Sequence, residues 1–221
     1  MLLLLLALGL AACGSDDENE PAPEPTTTAA GASEDAGCEA AEAPEAKPAQ
    51  DVEKPDLRID GAKTYTARVV TSCGEFSIEL DDDRAPKTSA SFVALARDGY
   101  FDDTTIHRVA RGFVIQGGDP QGDGTGGPGY SVVEAPPSDL QYTRGVVAMA
   151  KTLDERPGTS GSQFFVVTGE DAALPPDYAL LGTVTEGMEV VDRISVVETE
   201  SADDGAPVEP IVISSVTIEE S

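Results

Sequence analysis

The stretch His107-Arg-Val-Ala-Arg-Gly-Phe-Val-Ile-Gln-Gly-Gly-Asp119 is answered further along by Gly161-Ser-Gln-Phe-Phe165. Each reads as a short strand segment that sets polar side chains beside large apolar ones. Arg108 and Gln116 accompany Phe113 in the first, and Gln163 accompanies Phe165 in the second. Neither segment looks like a nucleophile elbow, a metal cage or a phosphate cradle. The mixture suits a site that holds a small apolar ring and hydrogen-bonds an amide beside it.

Around these segments the chain alternates between short β-rich runs and Gly-rich connections. Residues 64–71 and 75–80 have period-two patterns on either side of Ser72-Cys73-Gly74, which predicts a β-hairpin. Ala85-Pro86-Lys87-Thr88 predicts a helix start with proline in the first turn. Phe92, Val93, Leu95 and Ala96 give that helix one apolar face, and Gly99 can end it. Residues 104–109, 112–116, 146–150 and 164–167 read as further short strands. Residues 182–187 lead into a second, short helix with Met188, Val190, Val191 and Ile194 inward, and residues 211–218 read as a closing strand. Many short strands, few helices and no internal repeat argue for an all-β fold: a closed antiparallel barrel capped by helices. Gly122-Asp-Gly-Thr-Gly-Gly127 has dinucleotide-site spacing, but Pro128-Gly129 follows instead of a helix, so it reads as a surface loop.

Charge excludes one large class of partner. Lys and Arg number 14 against 41 Asp and Glu, a net charge of −27. Such a chain repels phosphate backbones, and no nucleic-acid binding is expected. His107 is the single histidine, so a Ser-His-Asp or Cys-His site would have to use it, and no elbow motif presents a serine. No set of zinc ligands can be assembled around one histidine here, and no carboxylate pair stands out in so acidic a chain. No metal and no cofactor are expected. His107 reads as structural or site-lining.

The N-terminal region has a different character. Residues 1–12 form an apolar run too short for a bilayer, which needs about 20 residues, and they fit the core of an export signal. Leu10-Ala-Ala-Cys13 resembles the pattern that bacterial lipoprotein signals place before a lipidated cysteine, which implies Cys13 as the lipid-bearing first residue of the mature chain. No Lys or Arg precedes the run, and a plain secretory signal is the alternative. Residues 13–60 hold 14 acids and 3 bases and lack Phe, and Pro recurs at 21, 23, 25, 44, 48 and 55. This composition predicts a disordered, self-repelling tether ahead of a folded domain at residues 61–221. Export implies an oxidising compartment, so Cys38 and Cys73 are expected to pair and to staple the tether to the hairpin turn, with two free thiols as the alternative.

Several motifs together resemble the cyclophilins, the peptidyl-prolyl cis-trans isomerases. They are His107-Arg108, Phe113-Val-Ile-Gln-Gly-Gly-Asp119, Gly124-Thr-Gly-Gly127, Ala148-Met-Ala150 and Gly161-Ser-Gln-Phe-Phe165, in that family's order and near its spacing over about residues 64–219. The resemblance implies an eight-stranded antiparallel barrel with two capping helices. It also implies Arg108 as the catalytic arginine, with Phe113 and Gln163 beside it in catalysis. Val114 and Phe165 would complete the proline pocket floor, with His107 and Gln116 lining it and Leu174 at the rim. Ala150 and Lys151 would begin the groove for the residue before proline, and Tyr178 would stand where the family usually has histidine. Lys151 replaces the family's usual asparagine and is expected to add positive charge to the groove. Ala173 falls where many members have a rim tryptophan.

The activity this implies is rotation of Xaa-Pro peptide bonds by a monomer that meets proline-containing polypeptides. Its place would be the extracytoplasmic face of the cell envelope, held to the membrane only by a lipid anchor, where it would assist folding of exported proteins. Two other readings are a non-catalytic proline-peptide binding module on the same fold and a surface interaction protein whose tether does the work.

Overall fold

Alternation builds the first hairpin of the computed structural model, which describes residues 37–48 and 51–221. Strand β1 (Tyr65–Thr71) buries every second residue and pairs antiparallel with β2 (Gly74–Leu80). Six more strands complete the barrel: β3 (Thr104–Ala110), β4 (Val114–Asp119), β6 (Val146–Met149), β8 (Phe164–Val167), β9 (Leu180–Glu186) and β11 (Val212–Glu220). Going round, the order is β3, β11, β1, β2, β9, β6, β8 and β4, and β4 pairs back to β3. Every pairing is antiparallel and the sheet closes, so the fold expected from the sequence is the one observed. Closure leaves no long sheet edge exposed. Three two-residue strands lie outside the ring: β5 (Val132–Val133) pairs with β7 (Thr159–Ser160), and β10 (Asp204–Gly205) adds to β3.

Helices α1 (Pro86–Arg97) and α2 (Met188–Ser195) pack on the barrel. Ala85 precedes α1 and has no side chain to cap it. The Glu134 carboxylate next to β5 does so instead, accepting from the backbone N–H of Lys87 (3.2 Å) and Thr88 (2.8 Å). A carboxylate at that end also suits the helix dipole. Gly187, ahead of α2, has φ 75° and lies so close to the Glu75 carbonyl that a Cβ could not be accommodated.

Two apolar clusters divide the faces of β4, β6 and β8. Ile115, Val147, Met149, Phe164 and Val166 join the interior cluster with α1 and α2. Their sequence neighbours Val114, Ala148, Phe165 and Val167 point the other way, into a second cluster that includes Tyr142, Leu140 and Leu180. Period two places Phe164 inside and Phe165 outside. Phe164 meets Phe92 and Phe101 edge-on at 5.8 and 6.1 Å, which ties α1 to the barrel.

Among the described residues, 37–48 and 51–60 form no helix or strand, but they do not stand away from the barrel. Cys38 is disulfide-bonded to Cys73, and Glu39 N–H donates to the Ser72 carbonyl at 2.7 Å. Lys47 N–H donates to Pro120 and Val52 N–H to Pro128, both at 2.9 Å, while Lys47 Nζ reaches the carbonyls of Tyr100 and Asp102. Cys38, Val52 and Ile59 pack on the interior cluster. The free tether expected through residue 60 is therefore corrected for this half. A few apolar anchors, three backbone bonds and one cross-link offset the ordering entropy that average composition alone cannot. The leader, Cys13 and the first part of the tether lie outside the described residues.

Replacing Cys38 with serine is expected to lower the unfolding free energy by about 2–4 kcal/mol, the usual cost of losing a cross-link of this kind. Urea denaturation of the oxidised wild type against the variant measures it, and coincident curves would contradict the strap described here.

Candidate active site

The outward face of β4 and β8 carries a cavity of about 120 Å³. Its floor is Phe113, Val114 and Phe165, and its walls are Ala150, Leu174 and Tyr178. A dry cavity of roughly 150 Å³ accepts benzene, so this one fits a five-membered ring. Tyr178 stands edge-on to Phe165 at 5.5 Å. Tyr142, fully buried, holds it there: its hydroxyl donates to the Tyr178 carbonyl at 2.6 Å and accepts from the Tyr178 N–H at 3.0 Å. Burial pushes the Tyr142 hydroxyl up to about 12, so it stays a donor. Leu174 is presented by a turn in which Asp171 Oδ1 accepts from Ala173 N–H (2.8 Å) and Ala173 takes φ 51°.

Three polar side chains reach the cup: Arg108, Gln116 and Lys151. Arg108 and Gln116 belong to a directed chain of hydrogen bonds. Arg108 Nη1 donates to Gln116 Oε1 (3.2 Å), and Gln116 Nε2 donates to Gln163 Oε1 (2.9 Å). Gln163 Nε2 donates in turn to the carbonyls of Gly124 (3.0 Å) and Gly126 (2.9 Å). The loop that supplies those carbonyls is the one with dinucleotide-like spacing, and it leads into no helix. Buried Asp119 holds it, accepting from the N–H groups of Gln121 (2.8 Å) and Gly124 (2.6 Å). Gly126 packs against that carboxylate so closely that a Cβ would overlap Oδ1.

Gln163 lines not the cup but a second, wider cavity of about 760 Å³ that shares Gln116, Ala150 and Lys151 with it. This groove runs past Gly124–Tyr130 and reaches Asp51 in the N-terminal strap. The cup and groove thus bring together Arg108, Phe113, Val114, Gln116, Ala150, Lys151, Gln163, Phe165, Leu174 and Tyr178.

Two expectations need correction. His107 lines neither cavity: its ring lies under Gly124, where a Cβ would come 3.9 Å from Nε2, and neither ring nitrogen has a hydrogen-bond partner among the described residues. Burial there pushes its pKa below the ordinary value, only partly opposed by Asp119. Lys151 does not give the groove a free positive charge. Its side chain is 3% exposed, and Nζ pairs with Asp177 at 3.0 Å and lies 5.4 Å from the Tyr178 ring centroid. The cation braces the cup wall instead.

Sequence reasoning missed Tyr142, Asp119 and the Gly124 and Gly126 carbonyls. No periodicity marks a tyrosine that buttresses another tyrosine from a loop. Asp119 did end the Gly-Gly-Asp run, and its conflict with burial was the available signal.

The family model described as cyclophilin type peptidyl-prolyl cis-trans isomerase/CLD matches residues 66–218. The chain is 39% identical over 171 residues to the probable peptidyl-prolyl cis-trans isomerase A of Mycobacterium leprae (strain TN), covering 69% of this chain and 91% of that relative. It is 38% identical over 176 residues to the peptidyl-prolyl cis-trans isomerase B of Streptomyces anulatus, covering 72% and 98%. Among solved structures, a cyclophilin type peptidyl-prolyl cis-trans isomerase of Cryptosporidium parvum is similar with a TM-score of 0.65 and 31% identity, covering 71% of this chain and 98% of that one. The same Cryptosporidium protein in the presence of the dipeptide Ala-Pro gives a TM-score of 0.64 at 31% identity, covering 70% and 98%. With the matching barrel and cup already described, this chain belongs to the cyclophilin family and is a peptidyl-prolyl cis-trans isomerase.

Proposed function

We propose that isomerisation takes place in the cup on β4 and β8, with the proline ring on Phe113 and Phe165 and Arg108 as the catalytic cation. The observation that carries this is the juxtaposition itself: an apolar cavity of ring size with a guanidinium at its edge.

Rotation about a peptide bond breaks amide resonance against a barrier of about 18–20 kcal/mol. For Xaa-Pro the two isomers lie within about 1 kcal/mol of each other, yet exchange takes tens to hundreds of seconds. A 10⁵-fold acceleration would require about 7 kcal/mol off the barrier. Ring burial is worth a few kcal/mol at roughly 25 cal/mol per Å². That contribution is nearly equal in ground and transition states, so it lowers KM rather than raising kcat. The differential part must track the change in the bond. As the amide twists, the prolyl nitrogen loses conjugation and its lone pair becomes a better acceptor. A hydrogen bond from charged Arg108 strengthens at that moment, by about 1.5–3 kcal/mol. Gln163 and the groove backbone fix the chain on one side while the carbonyl before proline rotates, and the remainder is positioning. Arginine suits the task because its planar fork presents several donors in fixed geometry.

The clients in this reading are exported polypeptides, folded at the extracytoplasmic face of the cell envelope by an enzyme lipidated at Cys13. Supporting it are the lipoprotein-like Leu10-Ala-Ala-Cys13 and a Cys38–Cys73 disulfide, a cross-link that belongs to an oxidising compartment. Cys13→Ala is expected to abolish palmitate labelling and to move the protein from the membrane to the soluble fraction; unchanged fractionation would contradict anchoring at Cys13.

Phe113→Ala is expected to raise KM for a Xaa-Pro tetrapeptide about tenfold with kcat within twofold, because it removes uniform binding. A fall in kcat alone would contradict this division of labour. The proposed chemistry uses no group that titrates near neutrality. His107, neutral when folded, contributes stability that is complete above its unfolded pKa of about 6.5 and is lost as pH falls through its lower folded value. The single imidazole NMR resonance should therefore titrate below pH 6.5, and a midpoint at or above that value would refute the burial argument.

A further inference from the structure

Arg108 is held on a side the cup does not include. Its Nε donates to Asp204 Oδ1 and its Nη2 to Asp204 Oδ2, both at 2.7 Å. This is the fork-on-fork arrangement, which fixes the plane of a guanidinium as well as its place. Asp204 lies outside the cup lining. It stands on β10, whose pairing with β3 sets Asp204 opposite Ala110 and Gly205 opposite Val109. The connection that carries β10 is itself tied down. Arg111 N–H donates to the Asp203 carbonyl at 2.8 Å and Arg111 Nη2 to the Val197 carbonyl at 3.0 Å, while Glu200 N–H closes on Ala206 at 2.9 Å. A two-residue strand adds little to barrel stability. What it does is bring one carboxylate to one guanidinium.

We propose that Asp204 is a positioning residue for isomerisation: it locks the Arg108 guanidinium in the plane from which it meets the prolyl nitrogen. The proposal rests on the reading of Arg108 as the catalytic cation. A guanidinium has five N–H donors. Asp204 takes two and Gln116 takes one, which leaves two for the substrate. Without Asp204 the side chain would regain rotamer freedom and, in a chain with 41 Asp and Glu against 14 Lys and Arg, would meet competing carboxylates. Because Asp204 touches Arg108 and not the cup, its removal should act on turnover and leave proline binding alone. The same carboxylate also lowers the positive potential that the prolyl nitrogen feels. An amide in its place keeps one acceptor without the charge, so it separates orientation from charge.

The test is steady-state kinetics of the full mature chain on a Xaa-Pro tetrapeptide for Asp204→Ala, Asp204→Asn, Arg108→Ala and the double variant Arg108→Ala/Asp204→Ala. It is paired with the NMR signal of Arg108 Nε–H. Asp204→Ala is expected to lower kcat five- to tenfold with KM within twofold, and to broaden or lose the Nε–H signal. Asp204→Asn should recover most of that kcat, and the double variant should be no slower than Arg108→Ala. If Asp204→Ala turns over like wild type while Arg108→Ala is slow, the positioning role fails and the reading of Arg108 stands. A further loss from Asp204→Ala in the Arg108→Ala background would also overturn it, because the carboxylate would then act without the guanidinium. An Arg108→Ala variant as fast as wild type removes both.

Discussion

Phe164 and Phe165 are adjacent in the chain and point to opposite faces of one strand, and the architecture depends on that opposition. The inward ring joins Phe92 and Phe101 and seats α1 against the barrel. The outward ring becomes the floor of the cup and meets Tyr178 and Tyr142. Because the pleat repeats every two residues, a slip of one residue in β8 would exchange the two roles and destroy both clusters at once. Pairing of β8 on both sides, to β4 and to β6, opposes that slip.

The polar half of the site is built on the same strands but by a different logic. Arg108 on β3, Gln116 on β4 and Gln163 just before β8 form a line of donors and acceptors that ends on loop carbonyls fixed by buried Asp119. Each amide in the line has its oxygen and its nitrogen assigned by its neighbours, so the guanidinium meets an oriented acceptor and not a free one. An apolar cup alone binds proline equally well as the bond turns, and binding of that kind does not raise kcat. In the proposed reading, selective stabilisation of the twisted bond comes from the guanidinium that this line of amides helps to orient.

Much of this was legible in the sequence because it follows from period and motif. The hairpin, both helices, the closing strand and the cup residues Arg108, Phe113, Val114, Gln116, Ala150 and Phe165 are carried by alternation or by the cyclophilin-like runs, whereas Leu174 and Tyr178 lie in none of those runs. The two-residue strands β5, β7 and β10 were not, since two residues show no period. The cap on α1 was invisible for a related reason: Glu134 is remote in sequence from the Ala85 position it serves. Average composition does not show that scattered anchors at Cys38, Lys47, Val52 and Ile59 hold residues 37–48 and 51–60 against the barrel. Lys151 is expected from the sequence to add positive charge to the groove, and its partner Asp177 is brought to it only by the fold. Charge pairing across loops is a property of tertiary structure, and no local pattern announces it.

The measurement that bears most directly on the account is two-dimensional exchange NMR on a Xaa-Pro peptide with wild type and Arg108→Ala, which yields the cis–trans exchange rate and the peptide affinity from the same samples. The account predicts an affinity within about twofold and an exchange rate lower by roughly 10–100-fold, the equivalent of about 1.5–3 kcal/mol of transition-state stabilisation. An exchange rate unchanged by loss of the guanidinium, or lost only in proportion to affinity, would contradict it.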